Sequence, residues 1–301
     1  MYAYVGCRTT EKRHARGKGI RAFKIDSTTD DWKEIQTLKT LENPSYQCKN
    51  REGKFLYSVH GDFTEVTSYR IKPDYTLEYL NMVDTVEGRN PVYVTVDKTN
   101  RYVLAATLQG GRIFVIRRNA DGSLGEIVFT HVAEGKTADS VSFTHQCIWD
   151  KTMTYLFAVY QGRGQGFGQV KVLKFDAESG TLTQTDEYKA PPIVEPRHLA
   201  VHPNNRAVYC INEKGNTMTY LEFDPEGGKL YPRQNLPTNP DTFTGEGFAG
   251  ASEINEDGTV LIGSNRGHES YHVGDNRRLR SSSRTHESFN ARRRSCPRAY
   301  A

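Results

Sequence analysis

The sequence predicts an all-β protein of the β-propeller type, built from four-stranded blades, and three observations carry that prediction. A pattern of about 50 residues recurs along the chain, as a blade-by-blade architecture requires. Each copy runs as short strand, turn, strongly apolar strand and further alternating strands, with Gly, Asn or Asp at the turns. No copy places apolar residues at the 3.6 spacing of a helix, which excludes a helical solenoid.

The chain opens on three strand-like segments, YAYVGC, GIRAFKID and EIQTLKT, a blade lacking its first strand. Four full units follow. They begin NPSYQCKNREGKFLYSVHG at Asn43, NPVYVTVDKTNRYVLAATLQGG at Asn90, SFTHQCIWDKTMTYLFAVYQGRG at Ser142 and EPRHLAVHPNNRAVYCINEKGN at Glu195. Anchored at Tyr46, Tyr93, Gln146 and His198, they are spaced 47, 53 and 52 residues apart. Eleven residues after each anchor stands the first large apolar residue of the second strand: Tyr57, Leu104, Phe157 and Tyr209. The third strands read VTSYRI, RIFVIRR, VKVLKFD and MTYLEFD, and turns of the type PDYT, ADGS, AESG and PEGG lead into polar edge strands. A shorter copy, ASEINEDGTVLIGSNRGHES, begins at Ala251. About five to six blades are therefore expected within residues 1–270, with 271–301 as a separate Arg/Ser-rich tail.

Composition narrows the function classes. The net charge of +4 conceals an uneven distribution: residues 271–301 hold eight arginines against Asp275 and Glu287, a net +6, so the first 270 residues carry −2. A basic nucleic-acid-binding body is excluded on that ground. No apolar run approaches the length of a membrane span, and the basic N-terminus lacks the apolar core of a signal peptide. Five scattered cysteines, none in a CxxC pair, point to reduced thiols and a cytoplasmic location, and no His/Cys cluster has metal-ligand spacing. No cofactor, metal, nucleic-acid or membrane partner is expected.

Equivalent repeat positions single out a site. The position before the anchor holds Ser45, Val92, His145 and Arg197. Four residues after the Tyr57-type position stand Gly61, Leu108, Gln161 and Glu213, with Arg266 in the fifth copy. Small or apolar residues in early copies give way to His, Arg and Glu in later ones. Blades are related by rotation and their inner strands line a common channel, so His145, Arg197, Glu213 and Arg266 are expected on one side of it. The alternative for each is a solvated strand-end group, or for Glu213 a simple pair with Arg197 or Lys214.

At these residues the sequence resembles the lactonase-type seven-bladed propeller family, which includes cycloisomerase-like 6-phosphogluconolactonases and carboxymuconate lactonising enzymes. The resemblance rests on YVGCRT, NPSY, DGSLGE (121–126), EPRHLAVHPN (195–204), INE (211–213) and SNRGHES (264–270), and covers about residues 1–270. It implies His145, Glu213, Arg197 and Arg266 as the catalytic group and His198, Glu253, His268 and Asn265 as substrate-binding residues. The sequence departs from the family around His145, which reads Phe143-Thr144-His145-Gln146, and in the strand of Glu253, which is two residues short. The implied function is opening of a sugar-acid lactone such as 6-phosphogluconolactone, a small anionic substrate held by arginines, with His145 or Glu213 as general base. Cycloisomerisation of a carboxymuconate and a non-catalytic interaction scaffold are the alternatives. The tail, nearly devoid of aliphatic residues, reads as disordered. It is expected to mark a loss of frame near residues 270–277, which would leave the propeller unclosed and its activity impaired.

Overall fold

A computed structural model describes residues 1–39, 41–267 and 270–275, with residues 271–275 described by their backbone. It is almost wholly β, apart from one 3-10 turn at Glu11–Arg13. The first blade is three-stranded: β1 (Tyr2–Gly6), β2 (Ile20–Ile25) and β3 (Trp32–Leu38). Four antiparallel four-stranded blades follow. The second contains β4 (Pro44–Lys49), β5 (Phe55–His60), β6 (Glu65–Ile71) and β7 (Leu77–Asp84). The third contains β8 (Pro91–Val96), β9 (Tyr102–Thr107), β10 (Arg112–Arg118) and β11 (Leu124–Val132). The fourth contains β12 (Phe143–Trp149), β13 (Tyr155–Gln161), β14 (Gln169–Asp176) and β15 (Thr181–Lys189). The fifth contains β16 (Pro196–Val201), β17 (Ala207–Asn212), β18 (Thr217–Asp224) and β19 (Lys229–Pro237). The sixth is described in three strands: β20 (Phe248–Ile254), β21 (Val260–Arg266) and β22 (Ser270–Asp275).

The last described strand runs past the expected boundary at residue 270. β22 pairs with β21 from Asn265↔Ser270 to Val260↔Asp275. Ladder pairing is made by backbone N–H and C=O groups, so a segment poor in aliphatic side chains still completes an edge strand. The expectations for the rest of the tail and for His268 fall outside the described residues.

Among the described residues the chain forms two compact units. One comprises Met1–Val132 with the turn Asp176–Thr181; the other comprises Ala133–Phe175 and the described residues from Leu182 onward. In both, the second strand of a blade is its most buried. β5, β9, β13 and β17 are buried along their whole length, whereas the fourth strands alternate towards solvent. In the first unit, Tyr57, Val59, Val94, Val103, Phe114 and Ile116 share one core between the second and third blades. In the second unit, Phe157, Val172, Leu199, Val208, Leu221 and Phe223 share another between the fourth and fifth.

Two repeated devices make these blades from this sequence. The turn between first and second strands is closed by an Asn or Asp that accepts backbone N–H groups of the second strand. Asn50 accepts from Lys54 and Phe55, Asp97 from Tyr102, Asp150 from Thr154 and Tyr155, and Asn255 from Val260. The second device couples neighbouring blades within the first unit. An aromatic near the start of the second strand lies on the outer turn of the next blade. The Tyr57 hydroxyl donates to the Gly122 carbonyl at 3.1 Å, that of Tyr102 to Glu178 at 3.1 Å and that of Tyr4 to Tyr75 at 2.9 Å.

One of the turn glycines is required twice over. Gly122 has φ +91°, and a Cβ there would run into the Phe55 ring. Gly53 also has a positive φ, +69°, but faces open space. Gly122→Ala is therefore expected to cost about 2–4 kcal/mol, backbone strain plus overpacking, and Gly53→Ala about 1 kcal/mol. Urea unfolding of the two variants checks this; equal losses would remove the packing part of the argument.

Candidate active site

Each inner strand carries one irregularity at the same place. The pairing of first to second strand slips between Pro44 and Tyr46, Pro91 and Tyr93, Thr144 and Gln146, and Pro196 and His198. The residue left over in each bulge is Ser45, Val92, His145 or Arg197, the same repeat position that the sequence comparison isolated. A bulge bends its strand and re-aims the extra side chain. In the sixth blade the slip spans Ala249 to Ser252 and leaves Gly250 and Ala251.

Glu213, at the end of β17, is the centre of the cluster that forms in the second unit. Its Oε2 accepts from Arg197 Nε at 3.0 Å and from Gln161 Nε2 at 3.0 Å. Its Oε1 lies 3.4 Å from Arg266 Nη2 and 3.8 Å from Arg163 Nη2. Three guanidinium groups against one carboxylate give a local charge of +2, which favours an anionic ligand. The inner members are well covered, at 15 % side-chain exposure for Glu213 and 18 % for Arg197, while Arg163 and Arg266 open to solvent at 38 % and 51 %.

His145 and His198 face each other across adjacent inner strands, rings edge to face at 5.0 Å between centroids. Burial, reinforced by Arg197, pushes both imidazoles below their usual value near 6.5, His198 to about 3 and His145 well down. Both are neutral at neutral pH. The Nδ1 atom of His145 is buried with no hydrogen-bond partner among the described residues. Burial lowers Arg197 to about 10, helped by Arg266 and opposed by Glu213, so it stays charged. Burial would raise Glu213, but the Gln161 amide and the three arginines outweigh it and hold the carboxyl below its usual range.

The structure thus brings together His145, Arg197, Glu213, Arg266 and His198. It does not bring Glu253 to them. Phe248 pairs with Arg266 while Glu253 pairs with Ile262, four positions along the ladder, roughly 13 Å by strand rise. Glu253 is exposed there, on the far side of the two-residue bulge from the cluster. Asn265 is buried beside Arg266, but its amide donates to the Thr238 carbonyl at 2.7 Å, a structural bond to the preceding linker.

Three residues absent from the sequence-based site belong to it. Gln161 bridges the cluster, accepting from Arg163 Nε at 2.9 Å while donating to Glu213. Arg163 stands in the glycine-rich turn after β13. Glu195 accepts from the backbone N–H groups of Gly162 and Arg163 at 2.7 and 2.8 Å. Glu195 was visible as the repeat counterpart of Asn43 and Asn90, all three left-handed and each preceding a proline.

The family model "Lactonase, 7-bladed beta-propeller" matches residues 2–290. The chain belongs to this family. Among curated relatives of this lactonase-family chain, a 6-phosphogluconolactonase of Bacillus subtilis is 29 % identical over 279 residues, covering 91 % of the chain and 78 % of the relative. A fungal relative named probable 6-phosphogluconolactonase, from Arthroderma benhamiae, is 27 % identical over 264 residues and is covered over 65 % of its length. Among solved structures, a protein from Lactobacillus plantarum superposes with TM-score 0.79 at 24 % identity, covering 90 % of the chain and 77 % of that structure. A periplasmic gluconolactonase from Pseudomonas aeruginosa superposes with TM-score 0.76 at 24 % identity, covering 90 % and 81 %. Both structures share the fold. Among the described residues no helix is long and apolar enough to cross a membrane.

The neutral histidines set a pH dependence. Their folded pKa values lie below the unfolded value, so the unfolded chain binds more protons once pH falls below about 6.5. Stability is full above that pH and declines below it. Each histidine contributes a slope of up to about 1.4 kcal/mol per pH unit, and buried His60, also lowered by burial, adds to it. Ordinary carboxylates enter only below about pH 4.5. Urea melts between pH 7.5 and 5 should show unfolding free energy flat above 7 and falling below 6.5; a flat profile down to pH 5 would contradict neutral buried imidazoles.

Proposed function

We propose that this chain is a hydrolase that opens a sugar-acid lactone such as 6-phosphogluconolactone at the Glu213 cluster. The observation that carries the reading is a net-positive cluster of three arginines on one carboxylate beside a neutral, buried imidazole with an unpartnered ring nitrogen. Family membership and a relative named 6-phosphogluconolactonase support the lactone class.

Lactone hydrolysis needs a base for water, positive charge for the carbonyl oxygen as it becomes an oxyanion, and a proton for the departing ring oxygen. His145 suits the base role better than Glu213. Its imidazole is unprotonated at neutral pH, whereas both Glu213 oxygens are already committed to cations. In this reading His145 takes a proton from water as the hydroxyl adds to the lactone carbonyl. Arg197 stabilises the tetrahedral oxyanion, and the ring C–O bond then breaks with the imidazolium returning its proton to the leaving oxygen. The product is an open hydroxy-carboxylate, and its ionisation releases one proton to solvent. Glu213 holds Arg197 in place and keeps the guanidinium groups from repelling one another.

Proton release makes the test direct. In a pH-stat with 6-phosphogluconolactone, corrected for spontaneous hydrolysis, His145→Asn should lower kcat by about 10²–10³-fold. Glu213→Gln should lower kcat/KM strongly through displaced arginines. Activity within a few-fold of the parent for His145→Asn would remove it as the base. No proton release by the parent protein would favour a non-catalytic scaffold.

A further inference from the structure

The turn 162–168, Gly-Arg-Gly-Gln-Gly-Phe-Gly, carries more conformational constraint than a solvated loop needs. Arg163 has φ +44° and Gly164 φ +87°, so a long-chain cation stands in left-handed backbone beside a glycine suited to it. The backbone is pinned from below by Glu195, only 7 % exposed and itself at φ +56°. At the matching position the second and third blades carry Asn43 and Asn90, a residue type that tolerates this conformation better. Asn90 accepts one N–H of the preceding turn, that of Asp62, at 2.9 Å. Glu195 instead spreads both carboxylate oxygens over Gly162 and Arg163. A buried carboxylate on left-handed backbone thus fixes the turn that carries Arg163 beside the cluster.

The side chain of Arg163 is held by its Nε on Gln161, and its ion pair to Glu213 is the longest of the three. Its Nη2 reaches Glu213 only at 3.8 Å, beyond hydrogen-bond length, and the side chain is partly open to solvent. Arg163 Nη2 and Arg266 Nη2 lie 3.8 and 3.4 Å from the same Glu213 oxygen, hence at most 7.2 Å apart. A phosphate accepting from two guanidinium groups at ordinary hydrogen-bond lengths spans up to roughly 8 Å between donors.

We propose that Arg163, set in place by Glu195, is the specificity residue of this site, pairing with Arg266 on the phosphate of a phosphorylated sugar lactone and so selecting it over the unphosphorylated lactone. Arg163 touches the remote phosphate and not the reacting atoms, so it acts on substrate binding; Glu195 is its positioning residue. The inference rests on the lactonase reading for its substrate class, but not for its phosphate contact.

The test compares the parent protein with Arg163→Gln, Arg163→Lys and Glu195→Gln on 6-phosphogluconolactone and on glucono-1,5-lactone. Calorimetry with 6-phosphogluconate, gluconate and inorganic phosphate forms a second arm. Arg163→Gln should raise KM for the phosphorylated lactone roughly 10- to 100-fold with kcat nearly kept, and change the unphosphorylated lactone less than about 3-fold. Arg163→Lys should fall between, since it keeps the charge and loses the fork geometry. Glu195→Gln should move KM in the same direction by a smaller factor. Equal effects on both lactones, or none, would overturn the proposal. If the parent opens neither lactone, the lactonase reading fails separately, and calorimetry decides the phosphate contact. A selective loss of 6-phosphogluconate affinity in Arg163→Gln supports it; an unselective loss, or no binding by the parent, overturns it. Circular dichroism verifies folding, and should Arg163→Gln not fold, Arg163→Lys is judged by the same criteria.

Discussion

In the second to fifth blades the first strand slips by one residue against the second, close to where it enters the sheet, and the side chain released there belongs to neither ladder. In the early blades that position holds Ser45 or Val92, and nothing chemical follows. In the fourth and fifth blades it holds His145 and Arg197. A regular strand would turn such side chains into alternate blade faces, where packing against the next blade would exclude them. The bulge releases them from that alternation, and the second-strand ends deliver Gln161, Glu213 and Arg266 to meet them. The site therefore depends on a backbone irregularity repeated for structural reasons and exploited in only some of its copies.

Electrostatics then divides the labour. Glu213 lies between three cations and cannot be released from them cheaply, so it serves as the counter-charge that allows Arg197 to remain protonated while largely covered. Burial, reinforced by the same positive field, keeps the two imidazoles neutral. In the proposed reading, a carboxylate that would be an ordinary base alone is an organiser, and a histidine that would titrate near neutrality is available as a base. The two assignments are linked through Arg197: breaking the Glu213–Arg197 pair would loosen both.

Much of this was legible in the repeat. The four-stranded grammar, the blade order and the meeting of His145, Arg197, Glu213 and Arg266 follow from aligned positions, because rotationally related blades present equivalent residues at equivalent places. What escaped did so for different reasons. Arg163 sits two residues beyond the last comparable position, in a turn whose length differs from blade to blade. Glu195 did align, with Asn43 and Asn90, yet an Asn-Pro to Glu-Pro change gives no sign in the sequence that its side chain reaches back to the preceding blade's turn. Glu253 was misplaced for the opposite reason. Its strand contains a doubled bulge, and register there is fixed by backbone pairing that side-chain pattern does not report.

The most direct measurement is a crystal structure of the protein with the ring-opened acid, 6-phosphogluconate, bound. The account predicts the new carboxylate beside His145 and Arg197 and the phosphate between Arg163 and Arg266, with the Glu213–Arg197 pair retained. A product molecule bound elsewhere, with the Glu213 cluster untouched, would contradict it.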